Sequence, residues 1–236
     1  DSSGTGLDYT TIKYNTNGVQ QWVARYNGPG YLDDEANAIA VDQAGNVYVT
    51  GKSSGGYNQD YATIKYNTDG VLQWVVRYNG PGNYDDEATA ITVDQADNVY
   101  VTGESNGSGT YLDYATIKYN ANGIQQWVAR YNGSGNYDDE ANAISVDTSG
   151  NVYVTGYTTS STQGKNITTI KYNSSGTQQW VESYNDSLDM DDEANAIALN
   201  TSGEIFITGN ISTAIDQADY FTAKYNSSGT MLWSMH

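Results

Sequence analysis

Apolar and polar positions along the chain fall into short blocks, and the blocks recur. One complete unit runs from Asp33 to Gly80. Ala38-Ile39-Ala40-Val41 is an apolar run of the length of one buried strand. Asp42-Gln43-Ala44-Gly45-Asn46 supplies a turn, with Gly45 free to take a positive φ. Val47-Tyr48-Val49-Thr50, rich in β-branched and aromatic residues, reads as a second strand, followed by a glycine-rich loop. Tyr61-Ala62-Thr63-Ile64-Lys65-Tyr66 is a third strand, Asn67-Thr68-Asp69-Gly70 a second tight turn, and Gln73-Trp74-Val75-Val76-Arg77-Tyr78 a fourth strand. The five tryptophans mark the period: Trp22, Trp74, Trp127, Trp180 and Trp233.

A repeat of about fifty residues containing four strands and two tight hairpins has the size of one propeller blade. β-Helix repeats are shorter and lack the two hairpins. The pattern therefore predicts an all-β, propeller-type fold without helix. Four full four-stranded antiparallel blades occupy 33–80, 85–132, 138–185 and 191–236, with the small residues of each first strand at the central axis. Asp-Asp-Glu-Ala occurs four times, but Lys-Tyr-Asn followed by Trp occurs five times. The surplus is an N-terminal two-stranded half-blade within residues 1–27, carrying Ile12, Trp22 and Val23. An isolated two-stranded ribbon is marginal, so this one must cover its apolar face. Three arrangements are open: packing as a partial fifth blade against the last blade, completing a blade of another chain by strand addition, or belonging to a slice of a longer array.

Three phrases carry a family resemblance: Asp33-Asp34-Glu35-Ala36-Asn37-Ala38-Ile39, Gly45-Asn46-Val47-Tyr48-Val49-Thr50-Gly51 and Asp60-Tyr61-Ala62-Thr63-Ile64-Lys65-Tyr66-Asn67. They resemble the SBBP-type β-propeller repeat, and the resemblance extends over nearly the whole chain. It implies a propeller fold and a secreted or surface location, and it implies no reaction, since that family has no common catalytic residues. The departures are Asp97 in place of the turn glycine, Asn166 in place of the aspartate before the third strand, and Ser183 in place of the repeat arginine.

The 236 residues suffice for a substantial core. A net charge of −18, from 28 acidic and 10 basic residues, argues against nucleic acid as a partner. There is no cysteine, no apolar run approaches the length of a membrane span, and Asp1 fits a processed or trimmed start. A composition rich in Gly, Asn, Ser, Thr and Tyr suits an extracellular or cell-surface β-protein. Sequons begin at Asn106, Asn132, Asn166, Asn173, Asn185, Asn200, Asn210 and Asn226, candidate glycosylation sites in a chain where many sequons arise by chance.

The two tight turns of a blade emerge on one face and the longer links on the other, where binding residues are usually carried. That loop face holds four acidic triplets: Asp33, Asp34, Glu35; Asp85, Asp86, Glu87; Asp138, Asp139, Glu140; and Asp191, Asp192, Glu193. Clustered carboxylates suit a hard cation, so Ca²⁺ is a candidate ligand although no cofactor is required. The structural alternative pairs them with the repeated Lys13, Lys65, Lys118, Lys171 and Lys224 or with Arg25, Arg77 and Arg130. Tyr48, Tyr100 and Tyr153 read as core, whereas Tyr31, Tyr84 and Tyr137 lie in the acidic loops and are candidates for contact with a glycan or a surface protein. Catalysis has little support: the one histidine is His236, at the terminus, and four near-equal acidic sites do not resemble a pair of differentiated carboxyls. The expectation is a non-enzymatic, extracellular structural repeat protein, a subunit of a surface layer or filament that self-associates through completion of the N-terminal half-blade. The alternative is a monomeric propeller that binds a glycan or a protein, with an acidic loop face that is a candidate for Ca²⁺.

Overall fold

The computed structural model describes residues 6–30, 32–161, 164–186, 190–214 and 217–236, and these form eighteen strands with no helix among them. The half-blade is β1 (Tyr9–Tyr14) and β2 (Gln20–Tyr26). Blade 1 is β3 (Asp34–Val41), β4 (Val47–Ser54), β5 (Gln59–Tyr66) and β6 (Leu72–Tyr78). Blade 2 is β7 (Asp86–Val93), β8 (Val99–Asn106), β9 (Leu112–Tyr119) and β10 (Gln125–Tyr131). Blade 3 is β11 (Asp139–Val146), β12 (Val152–Thr159), β13 (Lys165–Tyr172) and β14 (Gln178–Tyr184). Blade 4 is β15 (Glu193–Leu199), β16 (Ile205–Ala214), β17 (Gln217–Tyr225) and β18 (Met231–Met235). Every blade is an antiparallel meander in chain order.

The second strand is longer than its β-branched run predicts. β4 continues through Gly51 to Ser54, because Asn37 is a bulge: pairing steps from Ala36↔Gly51 to Ala38↔Thr50. A Cβ on Gly51 would collide with the Glu35 carbonyl, so the glycine admits the close backbone of the bulged strand rather than opening a loop. The same step recurs opposite Gly103, Gly156 and Gly209.

Alternation along the strands gives each blade two apolar faces, and the core lies between blades. Tyr48, Tyr61, Trp74, Val76 and Tyr78 on the front of blade 1 pack on Ala88, Ile91, Val99, Val101, Ala115 and Ile117 on the rear of blade 2. The next two contacts repeat this arrangement. First strands follow one another side by side, β3 against β7, β7 against β11 and β11 against β15, as expected for the inner ring of a propeller. Each contact is also pinned by hydrogen bonds. Tyr61 and Tyr114 donate to the carbonyls of Ala115 and Thr168 in the following blade. The bulged Asn37 and Asn142 reach the Ala88 and Ala194 carbonyls at 3.0 and 2.9 Å.

The half-blade docks on blade 1 of its own chain, not on the last blade. Tyr9, Trp22, Ala24 and Tyr26 pack on Val47, Val49, Ala62, Ile64 and Tyr66, and the Tyr9 hydroxyl donates to the Ala62 carbonyl. It thus occupies the place of the outer two strands of a blade preceding blade 1. No described strand fills the inner half of that position, and Ile39 and Val41 of β3 stand exposed there.

Candidate functional site

The loop face is built by the acidic triplets, and each of their three carboxylates has a separate task. The middle aspartate is buried and closes the loops of its own blade. Asp34 accepts N–H groups from Gly28 at 2.6 Å and Ser54 at 3.1 Å. Asp86 accepts from Gly80 and Asn106, Asp139 from Gly133 and Thr159, and Asp192 from Asp186 and Ser212. The first aspartate clips the preceding blade: Asp33, Asp85, Asp138 and Asp191 accept from the backbone N–H of Leu7, Gln59, Leu112 and Lys165. The glutamates take side-chain partners. Lys52 lies 2.8 Å from Glu87 and 3.4 Å from Glu35, Glu140 accepts the Tyr157 hydroxyl, and Glu193 lies 3.7 Å from Lys165. Among the described residues no group of three His, Cys, Asp or Glu is placed to hold a metal ion.

The repeated lysines do not pair with the triplets as the structural alternative supposed. Lys13, Lys65, Lys118 and Lys171 donate instead to turn carbonyls of the following blade, those of Thr68, Ala121, Ser174 and Ser227. Three of them lie about 5 Å over the rings of Tyr48, Tyr100 and Tyr153. Lys224 pairs with Glu204 of its own blade at 2.7 Å. The ion pairs that hold buried carboxylates belong to arginine: half-buried Arg77 with Asp60 and half-buried Arg130 with Asp113, each at 2.9 Å. These fork-shaped groups also take the Ser53 and Ser105 carbonyls, which a lysine could not match in the same plane. The sequence did carry this signal, since Asn166 and Ser183 lose both partners together in blade 3.

Between blades 1 and 2 glutamates border a cavity of about 480 Å³, lined by Lys52, Gln59, Asp85, Glu87, Glu104 and Asp138. Glu104 lies outside the repeated triplets and was not singled out by the sequence, because its counterparts are Lys52 and Tyr157. Burial, with added repulsion from Glu140, Glu87 and Asp138, pushes its carboxyl up to about 7. Asp139 is held up to about 6, burial outweighing the two N–H bonds it accepts. Tyr84 and Tyr137 are exposed at the rim, and Tyr137 stacks on Tyr111 with ring centroids 6.2 Å apart and planes at 22°. Tyr31 lies outside the described residues. Of the sequon asparagines, Asn200 and Asn210 are exposed, whereas Asn106, Asn132, Asn166, Asn173, Asn185 and Asn226 are half-buried.

Four-stranded meanders packed face to face around an inner row of first strands define a β-propeller-type repeat protein. The chain carries SBBP β-propeller repeats, matched at residues 21–58, 73–109 and 126–162. No curated protein matches the chain. Among solved structures, it is similar to the Sqt1 protein of Chaetomium thermophilum, at 9% identity and a TM-score of 0.48, over 96% of this chain and 68% of that one. An α-L-arabinofuranosidase of Clostridium thermocellum shares 14% identity with a TM-score of 0.45, over 83% and 70%. A subtype N11 neuraminidase-like protein of the strain A/flat-faced bat/Peru (H18N11) shares 12% identity with a TM-score of 0.48, over 96% and 59%.

Proposed function

We propose that this chain is a non-enzymatic, extracellular structural repeat protein, a self-associating subunit of a surface layer or filament. The observation that carries the reading is that blade-packing faces stand exposed at both ends of the row of described blades. Tyr220 is 88% exposed where its counterparts Tyr61 and Tyr114 are fully covered, and Ile12, Tyr14 and Val23 are exposed on the half-blade. Apolar residues grouped on a flat strand surface favour association with another such surface. The acidic groups of the loop face are committed to holding loops and blades together, which supports a structural rather than a catalytic use.

Sedimentation velocity and electron microscopy of the 236-residue chain test this reading. The expected result is concentration-dependent assembly in the micromolar range, and discrete monomers throughout that range would overturn it. The exposed Tyr84 and the Tyr111–Tyr137 stack favour one other reading, a monomeric module that holds a glycan or a protein on the loop face. It is separated by the same measurement, followed by loss of ligand binding in Tyr137→Ala.

A further inference from the structure

Inside the chain, each tryptophan is a plug and each third-to-fourth-strand turn glycine is its socket. Trp22, Trp74, Trp127 and Trp180 lie on Gly70, Gly123, Gly176 and Gly229 of the following blade, so close that a Cβ there would stand 2.6–3.0 Å from a ring atom. Their indole N–H groups donate to the Thr68, Ala121, Ser174 and Ser227 carbonyls of the same turns. Two members of the series are left over. Trp233 of blade 4 is exposed with no described turn glycine against it, and Gly18 of the half-blade, with φ +75°, has nothing within 4 Å of its Cβ position.

The surrounding faces are left over in the same register. On the front of blade 4, Phe206, Tyr220, Trp233 and Met235 are the counterparts of Tyr48, Tyr61, Trp74 and Val76. On the rear of the half-blade, Thr10, Ile12, Tyr14 and Val23 are the counterparts of Ala62, Ile64, Tyr66 and Val75. Tyr14 is 56% exposed where Tyr66 is 2%, and Met235 is 67% exposed. One set is a front lacking a rear, and the other is a rear lacking a front.

The described strands of a second copy do not fill the half-blade by strand addition. Among the described residues each copy has four inner hairpins (β3–β4, β7–β8, β11–β12, β15–β16) and five outer ones, and all four inner hairpins already have an outer partner. Counted over the described strands, one half-blade per copy has no inner pair in any number of copies. What a second copy does bring is a face.

We propose that the front of blade 4 stacks on the half-blade of a second copy of this chain, with Trp233 over the Gly18 turn, in the register of the blade contacts within the chain. This rests on the self-association reading and specifies its contact. By the repeat, the Trp233 indole N–H donates to the Thr16 carbonyl and the Tyr220 hydroxyl to the Thr10 carbonyl. Lys224 departs from the series, held by Glu204 in its own blade. The two surfaces differ, so the contact is heterologous and copies add end to end.

The test uses Ile12→Asp and Tyr220→Asp, two exposed positions at opposite ends. Near-ultraviolet circular dichroism and melting of the dilute proteins establish that each variant is folded. Each alone is expected to lose assembly, and an equimolar mixture is expected to form dimers and stop there, since one variant keeps an intact front and the other an intact rear. Monomeric unmodified chain, including a chain closed on itself, would overturn both this contact and the function above. Assembly undiminished in the two variants overturns the contact alone. Loss of assembly in each, with no dimer in the mixture, overturns the head-to-tail arrangement and leaves self-association standing.

Discussion

Trp127 of blade 2 lies on Gly176 of blade 3, close enough that a Cβ added to the glycine would stand 2.7 Å from the ring atom Cδ2. The glycine is required twice over, for its φ of +82° and for the space the indole fills. Gly18 has a similar φ, +75°, and no indole. The pair therefore separates the two requirements. Gly18→Ala is expected to cost the backbone term alone, about 1–2 kcal/mol. Gly176→Ala adds the displacement of Trp127, about 1–3 kcal/mol more. Urea melts of dilute samples measure the difference, and equal losses would show that the indole contact adds nothing.

Arg130 and Lys118 sit in neighbouring strands and look alike in the repeat, yet their substitutions should differ. Arg130 holds Asp113, Ser105 and the Tyr78 hydroxyl, and Asp113 is nearly fully buried. Arg130→Met leaves that carboxylate without its cation, at an expected loss of about 3–5 kcal/mol. Lys118→Met gives up one 3.4 Å bond to the Ser174 carbonyl and a contact with the Tyr100 ring, about 1 kcal/mol together. Adding Asp113→Asn should recover much of the Arg130→Met loss and almost none of the Lys118→Met loss.

What the sequence made legible follows from the same distinction. Strand period, turn residues and the repeat are local signals, and they located the blades, the half-blade and the turn positions. They even marked Asp97, which takes φ +59° in the place of the turn glycine. Pairings between strands were harder. Lys65 and Asp34 recur in every blade and could be imagined as partners, but they lie at opposite ends of their strands, one near the turn face and the other at the loop face. A period repeated without variation says which residues are equivalent and nothing about which touch. Where a blade broke the pattern, at Asn166 and Ser183, contact did become readable. Glu104 was invisible for the opposite reason, being acidic in one blade only.

The triplets should be indifferent to metal and sensitive to their hydrogen bonds. Asp86 accepts N–H groups from Gly80 at 2.6 Å and Asn106 at 3.0 Å in a buried position. Asp86→Asn keeps the shape but turns a donor toward groups that are themselves donors, at an expected loss of about 2 kcal/mol. A chelator, or added Ca²⁺, is expected to leave the melting temperature of the unsubstituted chain where it was. A rise with Ca²⁺ that disappears in Asp86→Asn would restore the cation reading.

Stability should peak in mildly acid solution, because two groups of carboxyls pull in opposite directions. Desolvation works against Asp94 and Asp147, but side-chain and backbone bonds from Asn98 and Asn151 prevail and hold both below the usual range. Their contribution is present above the unfolded value and is lost as pH falls through the folded one. Glu104 behaves inversely. Its folded carboxyl titrates at about 7, so between the ordinary glutamate value and 7 the folded chain binds the extra proton and stability falls as pH rises. Asp139, at about 6, adds a loss of the same sign over a lower range. Melting temperature is therefore expected to decline from about pH 5 to about pH 7.5. Glu104→Gln, which removes the repulsion from Glu87, Glu140 and Asp138, should flatten much of that decline. At pH 7.5 the gain is expected to be about 1–3 kcal/mol, and at pH 4.5 close to nothing. A Glu104→Gln curve parallel to that of the unsubstituted chain across this range would place the titrating charge elsewhere.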